Sequence, residues 1–300
     1  MLDGACLHPT PMFPELLLRL DSATEKNMEK SSPQEPARLE INNISVGYNG
    51  TPVLQDVTFH IPHGARVAVV GPNGAGKSTL FKALVGLLPL RSGQIFIHEM
   101  ALGHHLDCVA YVPQRSDVDW RFPVTVADVV MMGRFGRMNW LQAPGRSDRQ
   151  VVRTSLQQMG IADLADRSIS DLSGGQQQRV FLARALAQQP HIFLMDEPFT
   201  GVDASTQEAT LQLLDHLRLQ NVTVLISTHD LNLAATRFDS ILLLNKRLLA
   251  FGSPQEVLTP ENLRQAFGTH VLTLEDGAVL VDDCCPPEND QDRGALTEAE

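Results

Sequence analysis

The chain has 300 residues, of which 43% are hydrophobic, and a formal net charge of -11. That length and apolar content suit one large or two ordinary domains with a sizeable core, and no apolar run approaches the roughly 18 residues needed to span a bilayer. The acidity argues against a nucleic-acid binder, and it belongs to the ends: residues 275–300 hold nine acids against Arg293 alone, residues 1–37 six acids against three bases, and residues 38–274 twenty against twenty.

Taken in chain order, the first stretch lacks a basic n-region and is interrupted by Pro9, Pro11 and Pro14, unlike a secretory signal. Residues 1–37 read as a mobile extension, rich in Ser, Glu, Lys and Pro toward its end. From Leu39 onward come strands, around Leu39–Val46, Val57–Ile61 and Val67–Val70, and later Ile192–Met195, Val222–Ser227 and Ile241–Leu244. Helical patterns lie between them at Lys77–Leu87, Gln150–Met159, Gly175–Ala187 and Ser205–Leu219. Strands alternating with helices of this length predict an α/β domain with a largely parallel sheet. Cys6, Cys108, Cys284 and Cys285 show neither a C-x-x-C pair nor disulfide-framework spacing, and read as free thiols of a reducing compartment. His98, His104 and His105, with Glu99 and Asp107, read as decoration of a loop between strands rather than as a metal site.

Gly71-Pro72-Asn73-Gly74-Ala75-Gly76-Lys77-Ser78-Thr79 fits G-x-x-x-x-G-K-[ST] without mismatch, after an apolar strand and before a helix. Its glycines let successive N–H groups face one anion at the positive end of the helix. Lys77 then reaches the β- and γ-phosphates and Ser78 offers its hydroxyl to Mg²⁺, so the loop predicts ATP or GTP binding. Ile192–Met195 runs into Asp196 and Glu197, two carboxylates where phosphate would lie. Asp196 suits the Mg²⁺ shell through water, and Glu197 suits the general base that polarises the attacking water.

Leu172-Ser173-Gly174-Gly175-Gln176 resembles the signature of the ATP-binding-cassette ATPases, a loop opening a helix. The resemblance covers about residues 38–270 and implies an ABC ATPase fold: a mostly parallel P-loop sheet core, an antiparallel β-subdomain and an inserted helical subdomain at about 115–175, followed by an acidic tail at 271–300. It implies that Ser173, Gly174, Gly175 and Gln176 cap the γ-phosphate bound by the opposite subunit of a homodimer. In the same way, Tyr48 matches the aromatic that stacks on adenine, and Gln114 the Q-loop that senses Mg²⁺ and the attacking water. Asp203, in Thr-Gly-Val-Asp, matches the D-loop in altered form, and His229 the switch histidine.

Val118-Asp119-Trp120-Arg121-Phe122-Pro123 and Met131-Met132-Gly133-Arg134-Phe135-Gly136 look like the manganese, zinc and iron importers' cassettes. That likeness implies an integral membrane permease as partner, an extracytoplasmic metal-binding protein that together with the membrane channel chooses the ion, and a peripheral position on the cytoplasmic face of the plasma (inner) membrane. Trp120, Phe122, Met131, Met132 and Phe135 suit both an adaptable groove for a permease helix and the subdomain's own core. The alternative is a soluble ABC ATPase of the translation or DNA-repair type. Those carry two cassettes or a long coiled-coil insertion, neither of which is present, and the neutral middle lacks a basic stripe for RNA or DNA. A nucleotide-binding regulator without hydrolysis is opposed by Glu197 and His229.

Overall fold

The computed structural model describes residues 39–103, 106–114, 116, 122–138, 143–268, 271–273 and 279–281. The extension 1–37, His104, His105, Trp120, Cys6, Cys284 and Cys285 lie outside them.

An antiparallel sheet comes first. β1 (Leu39–Tyr48) pairs with β2 (Thr51–Ile61) through a tight turn and with β4 (Leu90–Ile97), which pairs with β5 (Met100–Ala101). The second sheet has six strands. β3 (Arg66–Val70) sits between β8 (Thr223–Thr228) and β9 (Ser240–Asn245), β7 (Ile192–Asp196) and β6 (Val109–Val112) follow β8, and β10 (Arg247–Gly252) flanks β9. All its pairings are parallel except β9 with β10. β3, β7 and β8 are buried along their whole length, as strands covered on both faces must be.

Successive side chains of a strand point to opposite faces, and this alternation divides the core in two. Val67 and Val69 of β3 face Leu80, Phe81 and Leu84 of α1 (Lys77–Leu84) and the antiparallel sheet. Ala68 and Val70 face the helices on the other side, with Val180 and Leu182 of α4 (Gly174–Ala187) and Leu213 and Leu217 of α5 (Ala204–Leu219) among them. The expected Lys77–Leu87 helix stops at Leu84, because Gly86 turns left-handed at φ 73° and Leu87 N–H closes back on Lys82 O.

The helical subdomain holds α2 (Val126–Met132), capped by Thr125 and Asp128 in a reciprocal box, α3 (Arg146–Gln158) and the start of α4. α6 (Leu231–Arg237), α7 (Pro254–Val257) and α8 (Pro260–Phe267) complete the cassette. Beyond them, within the stretch read as an acidic tail, Val271–Thr273 and Val279–Val281 pair as β11 and β12. Among the described residues no helix is long and apolar enough to cross a membrane.

Candidate nucleotide site

β3, β6, β7 and β8 run parallel, so their C-terminal ends open on one edge of the sheet, where ligands of such folds bind. The phosphate loop leaves β3 there. Gly71 and Gly76 are required by space: a Cβ on Gly71 would stand 2.0 Å from Leu244 O, and one on Gly76 2.4 Å from the Leu54 side chain. Gly76 is also left-handed at φ 100°, the turn that starts α1. The loop is pinned from outside by Lys246 N–H on Ala75 O at 2.9 Å, and Pro72 O accepts from Ala75 N–H at 3.1 Å. Asn73 and Gly74 are exposed at its tip, and Ser78 and Thr79 lie in the first turn of α1.

Lys77 is buried, and its Nζ donates to Gly71 O at 2.7 Å and Pro72 O at 3.2 Å. It stands 3.9 Å from Glu197 Oε1, which joins the loop to the end of β7. Asp196 is buried, accepts from the Ser227 hydroxyl, and receives the Tyr111 hydroxyl on Oδ2 at 3.4 Å. Ser227 Oγ also accepts the Glu197 N–H at 2.9 Å. One hydroxyl therefore tethers both members of the acid pair. Glu197 takes a left-handed backbone at φ 47°, uncommon for a non-glycine residue, and Thr200 donates its hydroxyl to Glu197 Oε2 at 3.2 Å.

Ser227, Tyr111 and Thr200 were not singled out from sequence. The register of β7 on β8 sets Asp196 opposite Ser227, and the nearest sequence signal is that Ser227 lies two residues before His229. Gln114, half-buried, lies two residues past β6, and His229, exposed, is the first residue past β8. Tyr48, 43% exposed, ends β1 opposite Thr51. Two residues beyond Thr51, Val53 and then Leu54 fill the space that a Cβ on Gly76 would need.

The signature residues form a second group. Ser173 caps α4, its hydroxyl accepting from Gln176 N–H while Gln176 Oε1 accepts from Ser173 N–H. Gly174 is half-buried in the first turn. A Cβ on Gly175 would lie 2.5 Å from both Asp203 Oδ2 and Thr206 Oγ1, so the signature turn fits only against the cap of α5. Asp203 accepts from Ser205 Oγ at 2.7 Å and Thr206 N–H at 2.8 Å, and these bonds, the Ser205 one foremost, hold its carboxyl below the usual range. The structure thus joins Lys77 to Asp196 and Glu197, and joins the signature to Asp203.

The aromatic and methionine positions of the helical subdomain divide. Met131 packs partly on the core, whereas Phe122, Met132 and Phe135 are 62%, 38% and 55% exposed. Gly133 and Arg134 are structural: a Cβ on Gly133 would meet Arg184 O at 2.2 Å, and buried Arg134 donates to Ala187 O and Gln189 Oε1 at 2.9 Å and to Asp148 Oδ1 at 3.1 Å.

A phosphate-binding loop at a parallel sheet edge, with an acid pair on a neighbouring strand end, defines a P-loop nucleotide-binding protein. The family model for ABC transporters matches residues 54–200. The chain is 48% identical over 238 residues to the manganese transport system ATP-binding protein MntB of Bacillus subtilis, covering 79% of this chain and 95% of that protein. It is 46% identical to the zinc transport system ATP-binding protein TroB of Treponema pallidum, covering 78% and 88%. A solved inward-facing metal-chelate type ABC transporter superposes with a TM-score of 0.68 at 31% identity, covering 81% of this chain and 95% of that one. The chain belongs to the ABC transporter family and is an ATP-binding, ATP-hydrolysing subunit of it.

Proposed function

We propose that this ATPase drives import of a divalent transition metal, manganese or zinc, with iron the third cargo of the branch. The observation that carries its chemistry is the convergence of Lys77, Asp196 and Glu197 at adjoining strand ends, the ammonium 3.9 Å from the Glu197 carboxylate. In this reading the amides of residues 71–79 and Lys77 bind phosphate, Lys77 exchanging the carbonyls of Gly71 and Pro72 for phosphate oxygens.

Ser78, Gln114 and Asp196 offer hard oxygen donors that fit Mg²⁺, which when bound neutralises charge on the β- and γ-phosphates. Glu197, oriented by Thr200 and held by its own amide on Ser227, takes the proton of the attacking water. His229 contacts the γ-phosphate side, and Tyr48 stacks on adenine. In the same reading the ATPase works as a homodimer in which Ser173, Gly174, Gly175 and Gln176, with Asp203, complete the partner copy's site.

Residues 38–270 act as the ATPase domain between the extension and the acidic tail. The exposed Phe122, Met132 and Phe135 are consistent with contact to an integral membrane permease, which holds the subunit on the cytoplasmic face of the plasma (inner) membrane. An extracytoplasmic metal-binding protein delivers the ion. The names of the relatives support manganese and zinc.

The test is co-purification with the permease, followed by ATP-dependent uptake of Mn²⁺ and Zn²⁺ into vesicles. Glu197→Gln should keep ATP binding and lose about 10²–10⁴-fold in turnover, whereas Lys77→Ala should lose ATP affinity. Normal turnover in Glu197→Gln removes that residue from the role, and absence of metal uptake by a complex that hydrolyses ATP defeats the import reading.

A further inference from the structure

At the other end of the parallel sheet the structure assembles three residues that the sequence reading kept apart. His98 follows β4 with a left-handed backbone at φ 50°, Cys108 immediately precedes β6, and His191 immediately precedes β7. His98 Nε2 and His191 Nδ1 are 3.0 Å apart, with the rings edge to face at 5.1 Å between centroids. The ligand atoms of His98, Cys108 and His191 all lie within 4.8 Å of one another. His191 N–H donates to Cys108 O at 2.8 Å, and His63 lies beside His98 at 5.8 Å between ring centroids. His98 lies, as expected, in the turn between β4 and β5, and from there it reaches His191.

The reading of Cys108 as a free thiol is corrected: Cys108 is fully buried and disulfide-bonded. Asp107 Oδ1, 3.9 Å from Cys108 Sγ, accepts no proton from it in that state.

We propose that His98, Cys108 and His191 form a redox-gated binding site for a borderline-soft divalent cation, Zn²⁺ first among them. Two Zn–N bonds of about 2.0–2.1 Å at a tetrahedral angle set their nitrogens about 3.3 Å apart, close to the spacing already present, and a Zn–S bond of about 2.3 Å asks the sulfur, already within 4.8 Å of both, to lie about 3.6 Å from them. The histidine that donates within the pair shifts its proton to its other ring nitrogen, so that both facing nitrogens present lone pairs. A dithiol reductant opens the gate: its two electrons break the S–S bond at Cys108, two protons give two thiols, and Cys108 then yields its proton as the thiolate takes the metal. Two imidazoles and a thiolate select Zn²⁺ over Mn²⁺ or Mg²⁺, with His63 or water as fourth ligand.

The ion would bind His98 of the antiparallel sheet to the starts of β6 and β7. Those strands end near Gln114 and in Asp196 itself, and the five residues of β7 span about 16 Å. The site is thus distinct from the nucleotide site, and it does not rest on the transport reading.

The test titrates the full, tag-free chain with Zn²⁺ against a chromophoric chelator under a phosphine reductant, with Co²⁺ as spectroscopic stand-in. One Zn²⁺ per chain should bind, and Co²⁺ should give a thiolate-to-cobalt charge-transfer band that Cys108→Ser removes. His98→Gln and His191→Gln should each weaken Zn²⁺ by at least about tenfold, with ATP binding retained as the sign of a folded chain. In the unsubstituted protein, Zn²⁺ should raise the thermal midpoint only after reduction. A band that survives Cys108→Ser, unchanged affinity in either histidine variant, no stoichiometric binding, or equal stabilisation of oxidised and reduced chains would each overturn the assignment.

Discussion

Gly71→Ala separates the demands of the phosphate loop most cleanly. The added Cβ would stand 2.0 Å from Leu244 O and 3.0 Å from the Ala75 methyl. Heavy atoms do not approach so closely, so Leu244 must retreat by about an ångström or more, and its oxygen belongs to the backbone of β9, which cannot rotate aside. β9 is paired with β3 through Val70 and Leu243, so the retreat strains the sheet that carries the loop. Overpacking of this kind costs about 1–3 kcal/mol and occasionally more, and a rigid backbone obstacle puts the expected value near about 3 kcal/mol. Gly74→Ala is the control: its φ of 77° is left-handed, but the new Cβ meets nothing within 4 Å. It should lose only the conformational cost of about 1–2 kcal/mol. Urea unfolding at constant m-value reads the difference directly. Gly71→Ala should have the lower midpoint and lose ATP affinity with it. An unfolding midpoint at or above that of Gly74→Ala would refute the packing argument.

Three further perturbations follow from the same geometry. Arg134→Met should destabilise by about 2–4 kcal/mol, because Asp148 and the carbonyl at the end of α4 lose a buried charged donor; a change below about 0.5 kcal/mol in the unfolding midpoint analysis would show that the residue serves only an external contact. Ser227→Ala should lower ATP turnover more than ATP affinity, since the hydroxyl holds both Asp196 and the Glu197 amide, and steady-state kinetics giving unchanged kcat would remove Ser227 from that role. Asp239 pairs with Arg66 at 3.0 Å; burial works to raise its carboxyl, but the hydrogen bonds and charge of Arg66 outweigh this and hold it below the usual range. Its folded pKa being depressed, the stabilisation is complete above the unfolded value of about 3.9 and is lost as pH falls through the lowered folded value. Because Asp239 is 44% exposed on its side chain, Asp239→Asn should cost only about 1 kcal/mol at neutral pH and flatten the acid limb of stability against pH; an unaltered acid limb would assign that limb to other carboxylates.

The parts of the site that were legible in sequence are those whose chemistry is local. The phosphate loop spans nine consecutive residues, and its glycines, lysine and flanking strand state their purpose without any distant partner. The acid pair was legible for a similar reason, an apolar strand ending in two carboxylates. The short strands Leu90–Ile97 and Val109–Val112 were not: the first is exposed for half its length and shows no alternation, and the second is four residues long. The Met-Met-Gly-Arg stretch was legible as a family feature but not in its physical meaning. Gly133 and Arg134 answer to carbonyls about fifty residues away, while Met132 and Phe135 face outward.

By itself, the sequence determined a nucleotide-binding α/β chain with a neutral centre, because spacing within a loop, hydrophobic run lengths and charge counts are properties of neighbouring residues. Only the tertiary structure decided which residues from separate strands share a hydroxyl, a carboxylate or a ring contact. Ser227 reaches Asp196 because β7 and β8 pair in one parallel register, and His98 reaches Cys108 and His191 because the antiparallel sheet lies over the starts of β6 and β7. Register and sheet packing are set by the whole buried core at once, and no local pattern encodes them.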